Sequence, residues 1–122
     1  MAKQGMDGQG MDGWAIRYAV RIARRLELSE HEIRSLVHTA MGLDAPREDV
    51  PVGAWVLAVV RNFQTLIMTG RDPEEALRHI KWRSGTHFHP KVVGTLLTII
   101  REDSMAALRL GRSAVHQHAA TA

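Results

Sequence analysis

Apolar side chains recur at helical spacing along most of the chain. Residues 14–26 place an apolar stripe on one side of a predicted helix and four arginines on the other. Residues 51–68 carry the most apolar face, so we expect this helix to be the central one. No stretch alternates apolar and polar residues between turn residues, as a strand would. The pattern predicts an all-α fold, a compact bundle of about five helices.

Capping and turn residues predict where these helices begin and end. Ser29 and Glu32 have the spacing of a capping box and should open the second helix. Asp72, Pro73 and Glu75 read as an N-cap, a first-turn proline and a capping-box acid. Three further residues are expected at boundaries: Gly42 and Gly85 as helix stops, and Pro90 at the start of the fifth helix.

The two ends of the chain differ in composition from its middle. The pentapeptides 4–8 and 9–13 are duplicates (QGMDG), rich in glycine and poor in apolar groups. We expect a flexible N-terminal segment at 1–12, one helical domain at 13–110 and a flexible C-terminal tail at 111–122.

Composition narrows the function classes only slightly. The absence of cysteine excludes disulfides and thiolate chemistry and weakly favours a reducing compartment. No apolar run approaches a membrane span, so we expect a soluble, cytoplasmic protein. Sixteen basic against 13 acidic side chains give a formal charge of +3, a mild bias that by itself does not indicate nucleic acid.

Several motifs occur in a recognisable order. AIRYAVRIARRLELSEHEI (15–33) and LVHTAMG (36–42) are followed by VLAVVRNFQTLI (56–67), DPEEAL (72–77) and SGTHFHPKVV (84–93). Together they resemble the HD-GYP family, metal-dependent phosphohydrolases that cleave cyclic diguanylate. The most specific part is the turn formed by Ser84, Gly85, Thr86, His87 and Phe88. The resemblance implies an HD-domain-like helical core.

The family's metal ligands are largely replaced in this chain. In the HD pair, His38 is present, but Thr39 stands where the family has a metal-bridging aspartate. The family's first ligand histidine would fall near Met11. Its later aspartates would fall at Arg61 and Gln64. A cation at such a position repels a divalent ion.

The segment between the second and third predicted helices is also shorter than in the family. A short connector lies between Pro46 and Val56, where the family has a long insert with further ligand histidines and the GYP signature. We therefore expect no catalytic residues, no bound metal and no cofactor.

Each histidine can be interpreted as functional or as structural. His38 suits a lone ligand or a base, but on an apolar helix face a partly buried structural role is favoured. His87 and His89 are suited to a transition-metal site with His79, yet His89 stands at an expected helix N-cap, which favours local structure. His116 and His118 repeat the spacing without a third ligand.

The arginine face of the first helix has two interpretations as well. Arg17, Arg21 and Arg24 line up on one side and are suited to phosphate contacts. Solvated helix faces look the same, and no nucleic-acid recognition motif accompanies this one. We therefore do not expect nucleic acid as the partner.

Loss of the insert predicts an exposed apolar surface on the second and third helices. Such a surface favours association, with a twofold homodimer as the default and a protein partner as the alternative. Trp55, Val52 and Val59 are the candidate interface residues, with Trp55 as anchor or, instead, an internal core residue.

These observations favour a non-catalytic protein-interaction or regulatory module derived from an HD-GYP-type phosphohydrolase, with a signalling role implied by the resemblance. One alternative is a residual metal-dependent phosphohydrolase or nucleotide-binding protein that uses His38 and the histidines near position 87. A weaker alternative is a basic nucleic-acid-binding protein.

Overall fold

The chain folds into a bundle of helices. The computed structural model describes residues 10–43 and 51–121, with side-chain environments for 10–43 and 52–110. The helices are α1 (Gly13–Arg25), α2 (Glu30–Ala40), α3 (Pro51–Met68), α4 (Pro73–Trp82) and α5 (Pro90–Thr121). Within these ranges no strand forms, and one isolated bridge links Ser84 to Phe88. The predicted all-α bundle of about five helices is confirmed.

Helix α3 lies at the centre of the bundle, as its apolar pattern predicts. It packs against each of the other four helices. Because neighbours lie on more than one side of it, its buried residues include adjacent positions such as Val59 and Val60. Partners from the other helices include Ile22, Ile80 and Leu96, each fully buried.

The predicted helix starts have specific capping contacts. At α2, Ser29 Oγ accepts from the Glu32 N–H at 3.1 Å, and Glu32 Oε1 accepts from the Ser29 N–H at 2.7 Å. This confirms the capping box. At α4, the Asp72 carboxylate accepts from the Glu74 N–H at 3.1 Å, behind Pro73 at the first turn. The predicted box with Glu75 is therefore replaced by a bond one residue earlier.

Three helices end in the same backbone motif. Glu27, Gly42 and Gly70 have positive φ angles of 64°, 77° and 95° and follow α1, α2 and α3. In each case two N–H groups reach back to carbonyls of the last helical turn at 2.9–3.1 Å, the Schellman pattern. Gly42 thus ends α2 as predicted. At Glu27 the left-handed conformation is taken by a residue with a side chain.

The stop of α4 differs from the prediction. The helix ends at Trp82 rather than at Gly85. Gly85, with φ 89°, instead shapes the following turn, where its N–H donates to the Phe88 carbonyl at 2.8 Å.

The ends of the folded domain also differ from the prediction. Met11 is buried, and its N–H donates to the Ala40 carbonyl at 2.9 Å, so packed structure begins inside the predicted flexible segment. Residues 1–9 and the connector 44–50 lie outside the described residues. At the other end, α5 continues to Thr121, through residues assigned to a tail. No described helix combines the length and apolarity needed to cross a membrane.

Candidate functional site

Met11, Thr39, Arg61 and Gln64, the positions where the sequence resemblance predicts replaced metal ligands, lie close together in the bundle. There the start of α1 meets the end of α2 and the middle of α3. The Asp12 N–H donates to Gln64 Oε1 at 2.9 Å, and Arg61 Nη2 lies 3.5 Å from the Thr39 carbonyl oxygen. Met11 pairs with the backbone of Ala40 at the same place. These side chains hold the helix ends together.

The chemistry of this region does not suit a divalent cation. Thr39 Oγ1 donates back to the Ser35 carbonyl at 3.1 Å, and the Arg61 guanidinium carries a positive charge. His38 is half-buried near the end of α2. Among the residues that the structure describes, no three histidine or carboxylate side chains lie close enough together to hold a metal ion.

The histidines before α5 participate in local structure. His89 Nδ1 accepts from the Lys91 N–H at 3.2 Å, which gives α5 the N-cap that the sequence predicts. Its ring stacks on Trp55, with centroids 4.5 Å apart and planes at 13°. His87 Nδ1 lies 3.2 Å from the hydroxyl of Thr86.

The SGTHF segment forms a compact turn around a single carbonyl. The Arg83 carbonyl accepts from the N–H groups of Thr86, His87 and Phe88 at 2.9–3.2 Å. Phe88 packs against the core. The turn orients the start of α5 against α3, so its role is structural.

The arginines of α1 are mostly paired with carboxylates. Arg21 binds Asp103 through two bonds of 2.7 and 2.8 Å. Arg25 pairs in the same bidentate way with Glu102, and Arg24 pairs with Glu30. Two of the four arginines therefore fix α1 against α5. Because these arginines are already paired with carboxylates, the nucleic-acid interpretation is weaker. Among the described residues, Arg17 belongs to none of the ion pairs.

Asp103 is the polar centre of this contact, and sequence analysis missed it. Its Oδ2 also accepts from the Tyr18 hydroxyl at 3.2 Å. The hydrogen bond from Arg21 holds the pKa of Asp103 below its ordinary value, and the same bond raises the pKa of Arg21. Burial, followed by the Asp103 charge, raises the pKa of the Tyr18 hydroxyl. The side chains are thus held as carboxylate, guanidinium and neutral phenol.

A groove beside this centre is lined by aromatic side chains. Trp14, Tyr18 and Phe63 meet edge to face, with ring centroids 6.1–6.3 Å apart. They line an apolar cavity of 360 Å³ that is closed on its other side by α5, at Ile100, Asp103, Ser104 and Ala107. The i, i+4 spacing of Trp14 and Tyr18 was the available sequence signal. The groove itself depends on residues more than 80 positions apart.

A second cavity adjoins the groove. It measures 260 Å³ and shares Trp14, Tyr18 and Asp103 with the groove. Arg17 and Arg21 complete its lining. Two guanidinium groups and one carboxylate therefore border the second cavity, beside the apolar groove.

The predicted interface residues behave differently from one another. Val59 is fully buried within the bundle and cannot contact a partner, because helices pack on both sides of α3. Val52 packs partly against the core. Trp55 keeps 42% of its surface exposed. It is therefore neither wholly internal nor part of a continuous apolar face with Val59.

The largest group of exposed apolar side chains on one helix lies on α5. Met105, Leu108 and Leu110 are 55%, 62% and 71% exposed. Sequence analysis did not single out this segment, because its apolar spacing extends the stripe of the buried part of the helix.

Comparison with protein-family models, with curated proteins and with solved structures finds no match for the chain.

Proposed function

We propose that the chain is a non-catalytic interaction module that pairs with a second copy of itself through the end of α5. The α5 extension, residues 101–121, continues the helix beyond the last core residue, Ile100. At 1.5 Å per residue it is about 30 Å long. From 101 to 110 every described residue except Asp103 is exposed. The proposal rests on this exposed, partly apolar helical segment.

Physical reasons favour packing of the extension against another protein surface. Isolated helices of this length are marginal in water, and most helical stability comes from packing an apolar face. Exposed clusters of large apolar side chains are typical of interaction sites. Arg21 and Arg25 of α1 form ion pairs with Asp103 and Glu102 in the first turn of the extension. These ion pairs fix the orientation of that turn relative to α1.

A second copy is the partner that best fits the charge order along the helix. Acidic Glu102 and Asp103 precede Met105 and Leu108, and basic Arg109 follows them. In an antiparallel pair that crosses near Met105 and Leu108, Arg109 of one copy approaches Glu102 of the other, whose side chain stays 51% exposed beside Arg25. The same apolar residues then meet across the twofold axis, as an isologous interface requires.

The same proposal includes descent from an HD-GYP-type phosphohydrolase and the absence of catalysis. The resemblance to HD-GYP proteins is the basis for a signalling role and for descent from a phosphohydrolase. The proximity of Met11, Thr39, Arg61 and Gln64 in the bundle supports it, since the resemblance predicts the family's metal ligands at or beside these positions. Their replacement by a cation, a hydroxyl and an amide supports a non-catalytic role.

Light scattering over a dilution series tests the pairing. Fully burying a leucine contributes about 1.5–3 kcal/mol, so the 62% exposed Leu108 would add about 1–2 kcal/mol per copy. Leu108→Gln acts twice in a twofold dimer and should weaken it by about 30- to 700-fold. Met68→Gln is the matched control, because Met68 is equally exposed, at 66%, on α3. A wild-type chain that stays monomeric at all concentrations contradicts the proposal.

A further inference from the structure

The aromatic groove and the cavity that adjoins it form a continuous cleft that no feature of the proposed function uses. One side is α1 with α3, and the other is the start of the α5 extension. Cavities of 360 and 260 Å³ are each close to or within the range that small-molecule sites occupy. We propose that this cleft binds a small carboxylate with an aromatic or branched apolar body.

The aromatic groove is suited to the apolar body. Its floor is the edge-to-face cluster of Trp14, Tyr18 and Phe63, and Ile67 and Ile100 complete the apolar lining. The Tyr18 ring is held in place because its hydroxyl donates to Asp103 and the Arg21 guanidinium lies 5.6 Å from its centroid. A floor that is already rigid loses little entropy when a ligand binds.

The adjoining cavity, lined by Arg17 and Arg21, is suited to a carboxylate. Arg21 is neutralised by its bidentate pair with Asp103, which leaves the guanidinium of Arg17 as excess positive charge. Arg17 is exposed and, within the described part of the chain, has no carboxylate partner. Arginine recognises carboxylates through two parallel N–H donors. An amine at this position would meet the positive charge of Arg17, and a second carboxylate would meet Asp103 or the apolar lining.

Three probes that share one apolar body separate the contributions of shape and charge. They are 4-phenylbutyrate, 4-phenylbutan-1-ol and 4-phenylbutylamine, titrated into the full chain. The readout is the indole N–H resonance of Trp14, which Trp14→Phe assigns among the three tryptophan signals. Loss of one charge-assisted hydrogen-bonded pair corresponds to about a tenfold change in affinity. We expect the carboxylate to bind about ten times more tightly than the alcohol, and the amine to bind most weakly.

Matched variants locate the binding. Ala107→Leu should block the groove, whereas Ala106→Leu should not, because both residues are exposed on α5 but only Ala107 lines the cavity. Arg17→Gln should weaken the carboxylate about tenfold and leave the alcohol unchanged. Arg34→Gln on α2, which lines neither cavity, is the charge control.

Several outcomes would overturn the inference. Equal affinity for the carboxylate and the alcohol would remove the role of Arg17, and equal effects of the two alanine variants would remove the location. Absence of binding by all three probes would show that the cleft is not a site for such ligands. If Ala107→Leu dissociates a dimer and the probes bind only to monomer, a second copy fills the groove instead. Because light scattering reports pairing independently, the inference and the proposed function can fail separately.

Discussion

Replacement of Glu27 by glycine should stabilise the protein, because Glu27 occupies a position that normally requires glycine. It ends α1 in the same Schellman motif in which Gly42 and Gly70 end α2 and α3, with φ 64°. The left-handed conformation costs a residue with a Cβ about 1–2 kcal/mol. Glycine returns about 0.4–1 kcal/mol of this through the entropy of the unfolded chain. The net gain for Glu27→Gly is about 0.5–1 kcal/mol.

Chemical denaturation and thermal unfolding measure this gain. For a domain of this size it corresponds to a rise in Tm of about 2–4 °C. Glu27→Gln keeps the Cβ and removes only the charge, so it should gain less than Glu27→Gly. Gly70→Ala is the reciprocal test, since an added Cβ there meets no atom within 4 Å and any loss of stability reports the backbone alone. If Glu27→Gly is no more stable than Glu27→Gln, and Gly70→Ala costs nothing, the reasoning is refuted.

Two further predictions concern contacts around α5. The hydrogen bond from Arg21 lowers the pKa of Asp103, so this pair stabilises the protein above the ordinary carboxyl pKa and the effect is lost as the pH falls through the lowered value. Arg21→Gln should therefore lower the free energy of unfolding, measured in urea titrations, by about 0.5–1 kcal/mol at pH 7 and by little near pH 2. A decrease that is the same at both pH values would contradict this prediction. His89→Asp should retain the α5 cap but lose the stack on Trp55, whereas His89→Ala loses both and should cost about 1 kcal/mol more. Equal stability of the two His89 variants would show that the cap contributes nothing.

Local signals in the sequence predicted most of the helix starts. The capping box at Ser29, the first-turn proline Pro73 and the cap at His89 each act through neighbours within a few residues. Their physics is therefore visible in a short window of sequence. The motif that ends α1 was harder to predict, because Glu27 has the left-handed conformation for which glycine is expected. Its neighbours Leu26 and Leu28 pack against the core, and this packing allows the conformation.

The candidate sites were harder to predict because they depend on distant residues. Arg21 and Asp103 are 82 positions apart, and the arginine stripe of α1 gives no sign of the carboxylates that pair with it. Val59 was expected at a surface because one apolar face of α3 was assumed to be uncovered. Helices on both sides of α3 bury it fully.

Distance measurement between single spin labels most directly tests the central proposal, pairing through α5. The chain has no cysteine, so a variant with one cysteine carries one label, and a twofold dimer gives one intermolecular distance. Packed helices have axes about 8–10 Å apart, so labels at Ala106→Cys should lie within about 30 Å of each other. Labels at Arg34→Cys on α2 should be farther apart. A short distance at position 34, or no intermolecular distance at either position at high protein concentration, would contradict the account.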